Sequence, residues 1–171
     1  MKDVTSGNFG VVIAFWLPGF LFLWGLSFSL PEVHAWLENS AARESVSGFL
    51  YATMASLAVG MLVSAVRWMI VDHFLICVTG LKRPKLDFSK LKDKDAFAAF
   101  QGVVENHYRY YQYYANTFVA VGAAFGFHLV SGRERPSVLI SGAVLGVCVS
   151  LILAARNALK LYFERSKDLA T

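Results

Sequence analysis

The chain has 171 residues, is 56% hydrophobic and only 16% charged, and carries a formal net charge of +4. Soluble domains carry charge on about a quarter of their residues, so this much apolar surface exceeds what a core of this size absorbs and points to lipid as a second solvent. Long unbroken apolar runs exclude an outer-membrane barrel. The two cysteines, Cys77 and Cys148, lack metal or redox spacing and are read as packing residues.

In chain order, residues 9 to 30 are uncharged, longer than the apolar part of a signal peptide and long enough for one span. Pro18-Gly19 predicts a kink within it. Residues 31 to 45 form a short polar loop with Glu32, Glu38, Glu44 and Arg43. Val46 to Leu81 is apolar except for Arg67, Asp72 and His73. As a helix it would be about 50 Å long, more than the roughly 30 Å of a hydrocarbon core. The membrane exit is therefore expected at Arg67-Trp68, where a guanidinium can snorkel and an indole can sit at the headgroups.

A basic turn follows, with Lys82, Arg83, Lys85, Lys90, Lys92 and Lys94 around Pro84. Asp93 and Asp95 then suit the start of a helix that runs to about Val130. Where that helix enters lipid it carries five tyrosines in the seven residues Tyr108 to Tyr114. Tyrosine has an apolar body and a wet hydroxyl, which places it at a membrane surface. Glu105, Arg109, Gln112 and Asn116 form a polar stripe at helical spacing on the same segment. Residues 131 to 136 read as a tight turn, and 137 to 155 as the last span before a basic helical tail.

The expected fold is all-α: a polytopic integral membrane protein of four transmembrane helices, about 9–30, 46–69, 113–131 and 137–155, forming one domain over 1–171. Helices 2 and 3 extend into a cytoplasmic helical hairpin, about 70–112. Positively charged loops stay cytoplasmic. With both termini and the basic turn on that side, it holds 13 of the 16 Lys and Arg, leaving Arg43, Arg133 and Arg135 outside. The expected location is thus an inner or plasma membrane.

Two groupings stand out. Small residues recur every fourth position: Ala52, Ser56, Gly60 and Ser64, then Gly122 and Gly126, then Gly142, Gly146, Ser150 and Ala154. In lipid such stripes let backbones approach, within one chain or between copies. The second is a polar set near the cytoplasmic interface, Arg67, Asp72, Glu105, Arg109, Gln112, Asn116, Arg156 and Asn157, read as a vestibule because such groups turn inward from lipid. Arg67 with His73 is too common a spacing to indicate catalysis. His34, His107 and His128 have no partners for a metal site, and no catalytic motif is legible.

The expected function is non-enzymatic, with no cofactor or metal: a homo-oligomeric inner-membrane effector or sensor that docks a cytosolic protein through Lys82, Arg83, Lys85, Lys90, Lys92 and Lys94. It is expected to form or gate a pore. The alternatives are a lipid-handling protein or intramembrane enzyme, with Glu105, Arg109 and the tyrosines around a headgroup, and a passive anchor. Lys92-Asp93-Lys94-Asp95 alternates in sign, which argues against direct contact with nucleic acid.

Overall fold

The computed structural model describes residues 3–38, 45–132 and 135–170. Arg43 and Arg133, which enter the loop charge count, lie outside them, as do Glu44 and Thr171. All regular structure among the described residues is helical. The order is α1 Asp3–Leu26, α2 Pro31–Glu38, α3 Val46–Thr79, a 3-10 turn Phe88–Lys92, α4 Lys94–Val103, a π-turn Val104–Tyr108, α5 Arg109–Val130 and α6 Val138–Ala170.

Local chemistry sets the helix ends. Ser45 caps α3 by accepting from the Gly48 amide at 3.0 Å. Gly80 stops the same helix at φ 65°, a left-handed conformation that costs glycine nothing. Asp93 is extended ahead of α4, and Asp95 lies in its first turn. The first predicted span, 9–30, needs correction. Its helix stops at Leu26, the Ser27 hydroxyl turns back to the Trp24 carbonyl at 2.6 Å, and Pro31 opens a new helix. That helix, α2, leaves at 119° to its predecessor and occupies what was read as a loop. Pro18 lies inside α1, which continues through it.

α1 and α3 run antiparallel with their backbones in direct contact. A Cβ built on Gly19 would lie 1.8 Å from the Ser56 carbonyl oxygen, and one on Gly60 would lie 2.0 Å from that of Phe15. α1 and α5 run parallel: Gly10 sits against Arg109, Gly25 against Ala124, and the Phe28 and His128 rings meet edge to face at 5.3 Å. α6 returns antiparallel to α5, with Tyr108 and Tyr162 ring centroids 5.0 Å apart at the far end.

Burial does not follow hydrophobicity in α3 and α6. One packed cluster is Val71, Leu75, Tyr111, Ala115, Ala155, Ala158 and Leu159, bordered by Tyr108, Tyr162 and Phe163, toward the charged end. The apolar start of α6 is the most open, with Val138 91% and Leu139 84% exposed, whereas the equally apolar α1 buries Ala14 and Leu23 against its neighbours. A water-soluble protein would bury these; here the exposed apolar surface suits lipid. Two helices are long and apolar enough to cross a membrane, Val46–Val78 and Val138–Ala170, or three if the bent pair Val12–Leu26 with Pro31–Glu38 is one span. α5 does not join them, because Asn116, His128 and the tyrosines dilute its apolar run.

The stalk also differs from expectation. It is not a free two-helix hairpin: α6 continues to Ala170, and its second half packs against α5, the π-turn and α4. Val71, Leu75 and Tyr111 form an apolar face too large to leave in water, and Ala155, Ala158 and Leu159 cover it. The segment after Gly80 is tied to the same helix, the Asp87 amide donating to the Ala170 carbonyl at 3.0 Å.

Candidate functional site

Against the packed core lies a buried charge cluster. Arg67 and Asp72 are five residues apart on α3, and Arg67 Nη1 donates to Asp72 Oδ1 at 2.7 Å. The Tyr111 hydroxyl of α5 donates to the same carboxylate oxygen. The Arg67 guanidinium lies 5.1 Å from the Tyr111 ring centroid, a cation–π contact. All three side chains are buried. An ion pair taken from water needs this kind of closure, since each charge alone would carry a desolvation cost of several kcal/mol.

Two further polar contacts stitch α5 to itself and to α1. Asn116 Nδ2 donates to the Ala14 carbonyl at 2.8 Å, and Arg109 Nη1 donates to Gln112 Oε1 at 3.2 Å. Asn116 is fully buried and Gln112 nearly so. Arg67 Nε and Asn116 Oδ1 are buried without a hydrogen-bond partner, so the cluster retains unfilled polar capacity.

The eight residues read as one vestibule therefore separate. Arg67 and Asp72 come together, with Arg109, Gln112 and Asn116 following along the inner face of α5. Glu105, Arg156 and Asn157 are exposed and stand apart from them. The π-turn at Val104–Tyr108 explains Glu105: a wider turn breaks the regular spacing that had aligned it with Arg109. Gln112 and Asn116 face the interior of one chain, so a conduit between copies would have to use another lining.

Tyr111 was not singled out among its four neighbours. Its signal was its position four residues before Ala115, since a small residue one turn on marks the face that meets another helix. Cys77, read as a packing residue, is exposed on α3, its sulfur 3.6 Å from His73 Nε2; Cys148 is half-buried. A membrane-impermeant maleimide is accordingly expected to modify Cys77 in opened membranes and to spare Cys148. Labelling of both at equal rates would contradict this placement.

The small-residue stripes divide as well. Ser56 and Gly60 are buried against α1, with Ala52 and Ser64 half-buried on the same helix. A Cβ on Gly122, Gly126, Gly142 or Gly146 would meet nothing within 4 Å, and Ser150 is exposed, its hydroxyl returned to the Gly146 carbonyl. Of the basic set, Lys82, Arg83, Lys85, Lys92 and Lys94 are exposed, and Lys90 lies in the 3-10 turn.

Comparison with protein-family models, characterised proteins and solved structures returned no match, so the functional reading rests on this geometry.

Proposed function

We propose that the chain is a four-span, non-enzymatic membrane protein that docks a cytosolic protein on a packed basic platform. Four spans are supported by two shared levels. At one end Gly10 lies against Arg109, next to the cluster of Val71, Tyr111 and Ala155, and at the other Phe28 lines one pocket with His128 and Ile140 and a second with Phe49. The helical rise places these levels about 28 Å apart along α5, close to the roughly 30 Å of a hydrocarbon core. The distribution of Lys and Arg supports an orientation in an inner or plasma membrane with both ends and the basic segment cytoplasmic.

The observation that carries docking is the tether between Asp87 and Ala170. It fastens the basic segment to a helical platform instead of leaving it a loose loop, so that Lys92 and Lys94 are presented on a fixed surface that suits an acidic partner. Copies would associate through the open glycine faces of α5 and α6. Charge reversal by Lys92→Glu with Lys94→Glu in the full chain should abolish crosslinking to a defined cytosolic protein in cells while leaving membrane insertion intact. An unchanged crosslinking pattern would end the docking reading, and crosslinking in native membranes that returns only monomer would end the oligomer.

A further inference from the structure

A second polar feature lies outside the buried cluster. Lys82, Arg83 and Lys85, from the segment after Gly80, line one cavity of 440 Å³ together with Lys160 and Lys167 of α6. Phe163, Leu81 and Pro84 supply its apolar wall. Glu164 is the single acid on the lining, and it is 3.6 Å from Lys160, so positive charge dominates the space.

We infer that this cleft binds the phosphate headgroup of an anionic phospholipid in the leaflet on the Arg156 side. Depth argues for a lipid source and rests on the four-span reading. Lys160 is about 8 Å along α6 from Ala155, within the polar layer that adds roughly 5–8 Å to each side of the hydrocarbon. Phe163 is about 12 Å from Ala155, about 4–7 Å beyond that layer and within one Debye length of about 8 Å from the headgroups. Val149 and Leu153 are exposed on α6, and with Lys160 they fall at intervals of four and seven, on one side of the helix. That side offers an apolar track for acyl chains leading to a cationic end. The cations come from two elements that Gly80 and the Asp87 tether bring together, so the cleft exists only in the folded protein. Basic pockets of this kind, on the cytoplasmic side of spanning helices, suit anionic headgroups.

The test is native mass spectrometry of the full-length protein in nonionic detergent with equimolar phosphatidylglycerol and phosphatidylcholine. Phosphatidylglycerol should be retained at least about tenfold over phosphatidylcholine, and Lys82→Gln/Lys85→Gln/Lys160→Gln should weaken its binding about 100-fold, three cations contributing about fivefold each. Lys92→Gln/Lys94→Gln, outside the cleft, should leave retention unchanged. Equal retention of the two lipids, or full retention by the triple variant, overturns the assignment. Displacement by millimolar glycerol phosphate also overturns it, in favour of a soluble phosphate. If the triple variant does not fold, Lys82→Gln/Lys85→Gln, both at exposed positions, carries the same comparison with a smaller expected loss. Failure of the topology reads differently: modification of Lys85 by an impermeant amine reagent applied to intact cells would invert the four-span reading while leaving lipid selectivity in detergent untouched.

Discussion

Asp72→Ala is expected to destabilise the protein by about 3–5 kcal/mol, because it leaves the Arg67 guanidinium buried without its counter-charge. Arg67 is 3% exposed, so water cannot replace the carboxylate without opening the packed end of the helices. The Tyr111 hydroxyl loses its acceptor in the same step. Tyr111→Phe, which keeps the ring beneath the guanidinium, should cost only about 1–2 kcal/mol. Replacing both charges with apolar residues, Arg67→Met with Asp72→Leu, should recover most of the loss, since a well-packed apolar pair avoids the desolvation cost. Unfolding of the parent, Arg67→Met, Asp72→Leu and the double variant in one detergent gives a double-mutant cycle. If the double variant is as unstable as Asp72→Ala, the two charges are not coupled as described.

Gly60→Val is expected to separate α1 from α3. The added Cβ would begin 2.0 Å from the Phe15 carbonyl oxygen, and Gly19→Ala would place one 1.8 Å from that of Ser56. Both obstructing atoms are backbone and cannot rotate away, so the helices themselves must part. Overpacking a core typically costs about 1–3 kcal/mol, and a collision with rigid backbone belongs at or above the top of that range. Helix propensity has the opposite sign, since alanine in place of a helical glycine stabilises by up to about 1 kcal/mol. A loss on Gly19→Ala therefore reports the crossing itself. Gly142→Val and Gly146→Val should leave the protomer's unfolding unchanged, because a Cβ there meets nothing within 4 Å. Pairwise crosslinking of the same two variants shows whether that open face joins copies. Equal unfolding curves for Gly60→Val and Gly146→Val would refute the assigned crossing.

The sequence made the long helices legible because their signals are large. Apolar runs of lipid-spanning length, Pro84 within the basic turn, and acids at the start of α4 each act over several residues. The inward turn of Gln112 and Asn116 was legible for a related reason: short polar groups in an apolar run have few tolerable directions, whereas Arg67, expected to snorkel at the membrane exit, is buried against Asp72 instead. Smaller signals were lost. One hydroxyl bonding back at Ser27 shortens α1, and the π-turn before Arg109 changes no composition at all, yet it breaks the spacing on which Glu105 was aligned. Tyr111 was hidden by similarity, since five tyrosines in seven residues look equivalent until one meets Asp72. The role of α6 as the third member of the stalk was hidden by its charge, because Ala155, Ala158 and Leu159 are interleaved with Arg156 and Lys160.

The mismatch between burial and hydrophobicity in α3 and α6 gives the two ends of the molecule different sources of rigidity. The end around Leu75 and Tyr111 is held by its own side chains, and a change of detergent should leave it as it is. At the other end α1 and α5 still hold each other through Gly25, Ala124, Phe22 and Phe127, but the start of α6 around Val138 and Leu139 is almost bare and takes its firmness from the surrounding acyl chains. Bilayer thickness and fluidity are thus structural variables for that stretch of α6 and nearly irrelevant to the packed end.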